Sequence, residues 1–250
     1  MSKISLKTKK EIAIMRAGGK IAGEVLAELS KATKPGVTTL ELNDLAEKII
    51  ISHGATASFK GFKGYPAATC ISVNNEVVHG IPSNRKLVDG DVVGIDVGVF
   101  YQGLHTDTAV TVGVGKVSEK AQKMINITKQ SLENGLSKIK AGVYLGDAQA
   151  EIQKTLETGG LGVIRDLTGH GVGRELQESP AIANYGRKGQ GLILEEGMTL
   201  AIEPMSTMGD WHVLMLDDGW TVVTADNSLS AHFEHTIVVT KDGYEILTKL

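Results

Sequence analysis

The sequence predicts an α+β fold: an antiparallel-rich sheet with helices packed against one side. Three observations point there. The stretch from Asp89 to Thr108, DGDVVGIDVGVFYQGLHTDT, reads as two β-branched-rich runs joined by a tight turn at Tyr101-Gln102-Gly103, the pattern of a β-hairpin. An order of helix, helix, then strands occurs twice along the chain. The chain also repeats itself. Asp89-Gly90-Asp91-Val92-Val93-Gly94-Ile95-Asp96 aligns without gaps on Glu196-Gly197-Met198-Thr199-Leu200-Ala201-Ile202-Glu203. Asp107-Thr108-Ala109-Val110 resembles Glu234-His235-Thr236-Ile237, and the segment Leu29 to Val37 resembles Leu136 to Val143 with one residue dropped. Three matches in the same order argue for one domain over 1–250 built of two related halves, about 8–115 and 117–250.

Taken in order, residues 1–7 read as a loose lead-in. Thr8-Lys-Lys-Glu11 is a capping box that opens a helix carrying Ile12, Met15, Ile21, Val25 and Leu29 on one face, and Pro35-Gly36 stops it. Thr38-Thr-Leu-Glu41 is a second capping box, followed by the apolar stripe Leu42, Leu45, Ile49 and a stop at His53-Gly54. Short strands and glycine-broken loops occupy 55–82, including Cys70-Ile71-Ser72-Val73 and Val77-Val78-His79-Gly80, and the hairpin follows. Ser118 caps a long helix bearing Ala121, Met124, Ile125, Leu132 and Leu136. Asp147 is expected to cap the next, bearing Ile152 and Leu156. From Leu161 onward the chain is strand-rich and broken by glycines.

At 250 residues the chain can bury a large core. A net charge of −3 in mixed signs gives no footprint for nucleic acid or an anionic membrane. The single cysteine, Cys70, cannot form an internal disulfide and suits a reducing compartment. With no apolar leader and no apolar run long enough to span a bilayer, a cytoplasmic protein is expected.

The chemistry begins with Asp96 and Asp107. Each is the acid inside an apolar run, and their odd separation puts them on one face of the hairpin. Two carboxylates crowded among valines must share a proton or hold a cation. The duller alternative is one edge-strand acid facing water and one acid capping a turn. The repeat weighs against it, because it pairs Asp96 with Glu203 and Asp107 with Glu234 and so aims four carboxylates at one axis. Four such charges in a partly dry centre call for divalent cations. Carboxylates alone suit magnesium or calcium, whereas an imidazole shifts the preference toward manganese, iron, cobalt or zinc. His170, in Thr168-Gly169-His170-Gly171-Val172-Gly173, offers one, with a satisfied structural histidine as the alternative. A dinucleotide-binding loop is a poorer reading of these glycines: the third falls at the wrong spacing, and Pro180 cuts short the helix that should follow.

Asp96, Asp107, His170, Glu203 and Glu234, within IDVGV, HTDT, GHGVG, IEP and FEHT, resemble the metal ligands of the methionine aminopeptidases. The likeness runs from about Thr8 to Leu250 and includes KPGVTTLELNDLAE, GYPAATC, NNEVVHGIP and DGWTVVTADNSLSAHFEHTIVVT. It is closest to the short bacterial type I form. The resemblance implies the pita-bread fold with its internal pseudo-twofold and a site for two divalent metals (Co, Mn, Fe or Zn). Asp96 would chelate one metal, His170 with Glu203 the other, and Asp107 and Glu234 would bridge them around a shared hydroxide that attacks the first peptide carbonyl. Glu203 would shuttle the proton and His79 would hydrogen-bond near the scissile nitrogen, with a structural role as its alternative. Phe59, Tyr65, Cys70, Leu176 and Trp220, with Phe62 nearby, would line the methionine pocket, and Cys70 there is a wall rather than a nucleophile. Nascent polypeptide N-termini at the ribosome are the implied partners of a monomeric enzyme.

One position departs from the family pattern. In Glu175-Leu176-Gln177-Glu178-Ser179-Pro180, Gln177 stands where the family usually has a histidine that stabilises the oxyanion. An amide still donates a hydrogen bond but brings no positive charge. A proline-specific aminopeptidase or dipeptidase of the same fold shares all five ligands and is the alternative activity. A catalytically weak binding module of this fold is a third reading, opposed by the intact ligand set.

Overall fold

The structure is a computed structural model that describes residues 4–249. The first half comprises α1 (Lys9–Ala32), α2 (Thr39–Ser52), β1 (Thr56–Ala57), β2 (Thr69–Val73), β3 (Glu76–Val78), β4 (Val92–Tyr101) and β5 (Leu104–Gly113). The second opens with α3 (Glu119–Leu136), α4 (Leu145–Thr158), β6 (Gly162–Val163), β7 (Thr168–Gly171), β8 (Glu178–Ala183) and β9 (Thr199–Ile202). It closes with β10 (Met205–Thr207), β11 (Val213–Met215), β12 (Val222–Thr224), β13 (Ser230–His232), β14 (Glu234–Val239) and β15 (Tyr244–Ile246).

The expected capping chemistry sets both first-half helices. Thr8 and Glu11 exchange side-chain and backbone hydrogen bonds at the start of α1, and Thr38 and Glu41 do the same for α2. Ser118 Oγ accepts from the Ala121 amide at 3.2 Å to open α3. Asp147 does not cap α4. Tyr144 holds that position without a side-chain hydrogen bond, and Asp147 lies in the first turn, where its carboxylate accepts from the Gly189 amide at 2.7 Å and complements the helix dipole. The loose lead-in is corrected as well. Leu6 bridges Met198, the Lys7 amide donates to the Gly197 carbonyl, and the Lys7 ammonium pairs with Glu178 in a buried contact. Residues 1–3 of that segment lie outside the described residues.

The main sheet is antiparallel and runs β1-β4-β5-β14-β9-β7-β8, with β2 also pairing β4 and β15 pairing β14. Its centre is symmetric in the order of its parts: β4 and β5 on one side, β9 and β14 on the other, each followed outward by the strand that flanks the inner pair. Strand β4 begins three residues after Asp89 and β9 three after Glu196, each preceded by a left-handed glycine, Gly90 at φ 95° and Gly197 at φ 88°. The repeated acid-Gly therefore acts in both halves as the turn that launches the strand. The β4–β5 turn is tighter than the sequence suggests. Tyr101 pairs with Leu104, leaving Gln102 (φ 48°) and Gly103 (φ 87°) as a two-residue loop whose positive φ values match strand twist.

Alternation along β4 separates core from site. Val93, Ile95, Val97 and Val99 pack with Val25, Leu29, Leu42 and Ile50 from α1 and α2, while Asp96 and Gly98 face the other way. In the second half, Met124, Leu132, Leu136, Ile152 and Leu156 of α3 and α4 cover Leu200, Ile202 and Ile237. The four α-helices of the described residues thus lie on one side of the sheet, and Asp96 and its acidic neighbours face the other.

Candidate metal centre

Register brings the hairpin acids together. Asp96 pairs with Ala109 and Asp107 with Gly98, so the two carboxylates are diagonal neighbours on one face. Across the centre of the sheet, Glu234 pairs with Ala109. Two threonines lace this junction: Thr108 Oγ1 donates to the Glu234 carbonyl and Thr236 Oγ1 to the Asp107 carbonyl, both at 2.8 Å. Because each bond runs from one half to the other, a slip of either strand would break both.

Asp107, His170 and Glu234 each bring a ligand atom within 4.8 Å of the other two. Glu203 joins them, its Oε1 lying 3.6 Å from His170 Nε2. Asp107 and Glu234 are buried, whereas Asp96, His170 and Glu203 are partly open to the cavity they line. His170 is set in one tautomer. Its Nδ1 lies 2.9 Å from the Gly171 carbonyl, which can only accept, so Nδ1–H donates there and Nε2 is the nitrogen turned toward the acids. The flanking glycines have a steric reason. A Cβ on Gly169 would come 2.5 Å from the Ala201 carbonyl oxygen, and one on Gly171 would come 2.3 Å from that of Ser179. Neighbouring backbones close in on both sides of the imidazole.

The charge balance states what this donor set needs. Burial pushes all four carboxyls above their ordinary range. For Asp96 the next causes are Asp107 and Glu203, and for Glu234 they are Asp107, Glu203 and Asp96. Asp107 is held up by burial against the pull of His170, and burial takes Glu203 up to about 8. Asp96 Oδ1 and Glu234 Oε1 are shut off from solvent and have no hydrogen-bond partner. Two bare buried acceptors among four mutually repelling acids, beside the His170 imidazole, are the donor set of a divalent cation site. The residues fit the group.

Every side chain assigned to the site from sequence lines one cavity of about 300 Å³. On its apolar side are Phe59, Phe62, Tyr65, Cys70, Leu176 and Trp220. Tyr65 and Trp220 meet edge-to-face with centroids 5.1 Å apart, and the Tyr65 hydroxyl donates to the Gly80 carbonyl at 3.0 Å. Burial and the nearby Asp96 push the Cys70 thiol up, so it stays protonated, as suits a wall. His79 sits between the apolar and acidic sides with a left-handed backbone (φ 60°). Burial, then His232, His170 and Lys63, lowers its pKa to about 4, which keeps it neutral. Gln177 is exposed at the mouth, beside Lys63.

Sequence reasoning gave no role to His232, whose Nε2 lies 3.4 Å from Glu203 Oε2 without hydrogen-bond geometry. Burial lowers its pKa to about 4, so it stands as a neutral neighbour of the acids. The signal was present: His232 precedes Glu234 by two residues, the same-face spacing of an extended chain. Lys63 and Asp166 at the cavity wall gave no such signal.

Residues 13–241 match metallopeptidase family M24, and the chain belongs to that family. The curled antiparallel sheet backed by four helices is its pita-bread fold. Within the family, the chain is similar to the methionine aminopeptidase of Clostridium perfringens, with 52% identity over 245 residues, 98% of each chain. It superposes on the crystal structure of the Thermotoga maritima methionine aminopeptidase with a TM-score of 0.97 at 48% identity, covering 99% of this chain and 100% of that one. The likeness to the Xaa-Pro dipeptidase of Bacillus anthracis is lower: TM-score 0.78, 26% identity, and 62% of that chain covered.

Proposed function

We propose that this chain is a metal-dependent aminopeptidase that removes the N-terminal methionine from new polypeptides and peptides with a small second residue. The observation that carries the reading is the convergence of five ligand-type side chains beside an aromatic, thiol-lined cavity. Asp96, Asp107, His170, Glu203 and Glu234 would hold two divalent ions, with the imidazole favouring manganese, iron, cobalt or zinc. Such ions, when bound, supply Lewis acidity and bring the pKa of water near neutrality.

The chain's own side chains do the rest. Phe59, Phe62, Tyr65, Cys70, Leu176 and Trp220 receive the thioether, whose polarisable sulfur suits aromatic edges. Glu203, at the boundary between acids and cavity, takes a proton from the attacking water and returns it to the departing amine. His79, neutral at physiological pH, hydrogen-bonds at the scissile nitrogen. Gln177 donates its carboxamide N–H to the oxygen that gains charge as the carbonyl becomes tetrahedral. The substrates are proposed to be met at the ribosome by a monomeric, cytoplasmic enzyme. No helix of the described residues is long and apolar enough to cross a membrane.

The test is hydrolysis of Met-Ala-Ser against X-Pro peptides, with Mn²⁺, Co²⁺, Fe²⁺ or Zn²⁺ added back after chelation. Release of methionine, restored by metal, is expected. Preferential cleavage before proline, or activity indifferent to chelation, refutes the reading.

A further inference from the structure

Lys63 and Gln177 lie far apart in sequence yet meet at the cavity mouth, with Lys63 Nζ 3.5 Å from Gln177 Oε1 and both residues on the lining. Two further features hold Lys63 there. Its backbone is left-handed at φ 49°, an uncommon conformation for a non-glycine residue, which sets the direction in which the side chain leaves the chain. Its ammonium lies 4.9 Å from the centroid of the Phe62 ring, within cation–π range of a residue on the same wall. An ammonium has three donors and no acceptor, so the carboxamide end that faces it must be the oxygen. The NH₂ end is then turned away from Lys63 and keeps its donors free. Without this anchor, a glutamine exposed at a cavity mouth would sample several rotamers with either end inward.

We propose that Lys63 is a positioning residue: it fixes the Gln177 carboxamide with oxygen outward and thereby presents the NH₂ to the carbonyl oxygen of the substrate's first peptide bond. The inference rests on the peptidase reading above. It assigns to a lysine–glutamine pair the task that the sequence pattern otherwise leaves to a single imidazole. Lys63 does not itself touch the reacting atoms. Its effect is to keep Gln177 in the one orientation in which a neutral amide is useful there.

The experiment combines kinetics and NMR on the full chain. Lys63→Met removes the donors but keeps an unbranched chain beside Phe62, and Lys63→Arg restores a donor. With Met-Ala-Ser and the manganese-loaded enzyme, Lys63→Met should lower kcat about fivefold to tenfold with KM within about twofold, as for loss of one orienting hydrogen bond. Lys63→Arg should recover most of the rate. In the Gln177→His background the same Lys63→Met change should cost clearly less, because an imidazole has no carboxamide to hold oxygen-outward, even though its unprotonated nitrogen can accept from the ammonium. Independently of activity, the Gln177 side-chain NH₂ resonance of the metal-free protein, assigned by its loss in Gln177→His, should move toward the free-glutamine position in Lys63→Met and stay in place in Lys63→Arg. An equal kcat loss in both backgrounds, or none in the wild-type background, overturns the proposal. An NH₂ resonance unmoved by Lys63→Met overturns the contact itself. A wild-type protein that leaves Met-Ala-Ser intact sinks the peptidase reading and the catalytic purpose of the contact with it, and the resonance still reports whether the contact exists.

Discussion

Removing metal from the site should leave a protein whose stability falls as the solution becomes mildly alkaline. Glu203 has its pKa raised from 4.5 to about 8 by burial. A group raised in the folded state contributes its stability below the unfolded pKa and loses it as pH climbs toward the folded one. Four histidines act in the opposite sense: His79, His105, His232 and His235 are each lowered by burial to about 4. Their contribution is complete above 6.5, the ordinary histidine value, and is lost as pH falls through about 4. The two effects separate cleanly between pH 6.5 and 8, where the histidines no longer change and Glu203 is still losing its proton preference. Over that interval Glu203 alone costs about 2 kcal/mol. For a chain of this size that is a fall in Tm of about 4–8 °C. Asp96 and Glu234, also raised, act in the same direction. Thermal melts followed by circular dichroism after exhaustive chelation should therefore peak near pH 6.5 and decline toward pH 8. Melts with saturating Mn²⁺ should lose that decline, because the cations replace the protons. A metal-free Tm that is flat or rising from pH 6.5 to 8 would refute the idea that these acids are crowded and desolvated.

Three other outcomes follow from the geometry. Gln177→His should raise kcat for Met-Ala-Ser, since a complete loss of an oxyanion donor costs about 2.7–4 kcal/mol and a neutral amide recovers only part of it; an unchanged or lower rate in steady-state kinetics counts against the assigned role. Gly98→Ala would place a Cβ 2.6 Å from the Phe59 ring and 2.8 Å from Ser58 Cβ, forcing the aromatic wall inward. Its kcat/KM for methionine peptides should drop at least about tenfold, and adding Phe59→Ala should recover part of the loss. Lys7→Met strands the Glu178 carboxylate, which also accepts from the Arg174 and Glu175 amides and so shapes the loop carrying Leu176 and Gln177. Breaking a buried pair costs about 3–5 kcal/mol, so a Tm drop of many degrees is expected in the same melts, and a drop under a degree or two would show that the pair is dispensable.

Much of this architecture is written locally and can be read without coordinates. Thr8, Thr38 and Ser118 announce their helices because a cap satisfies amides within three residues. Gly90 and Gly197 announce their strands because the turn before each needs a positive φ. The doubled acid-Gly pattern goes further: duplication carries long-range information in local form, and so it pairs Asp96 with Glu203 and Asp107 with Glu234 before either is placed in space. Tertiary structure decides what depends on neighbours remote in the chain. Asp147 looks like a cap by its spacing, yet the Gly189 amide claims its carboxylate. The opening residues look loose by composition, yet Lys7 finds Glu178, a partner that no local rule can name. The tautomer of His170, the neutrality of His79 and the meeting of Lys63 with Gln177 are likewise set by surroundings from other strands. Period and turn chemistry act over a few residues, whereas burial and charge act over a few ångströms, and only the folded chain converts one measure into the other.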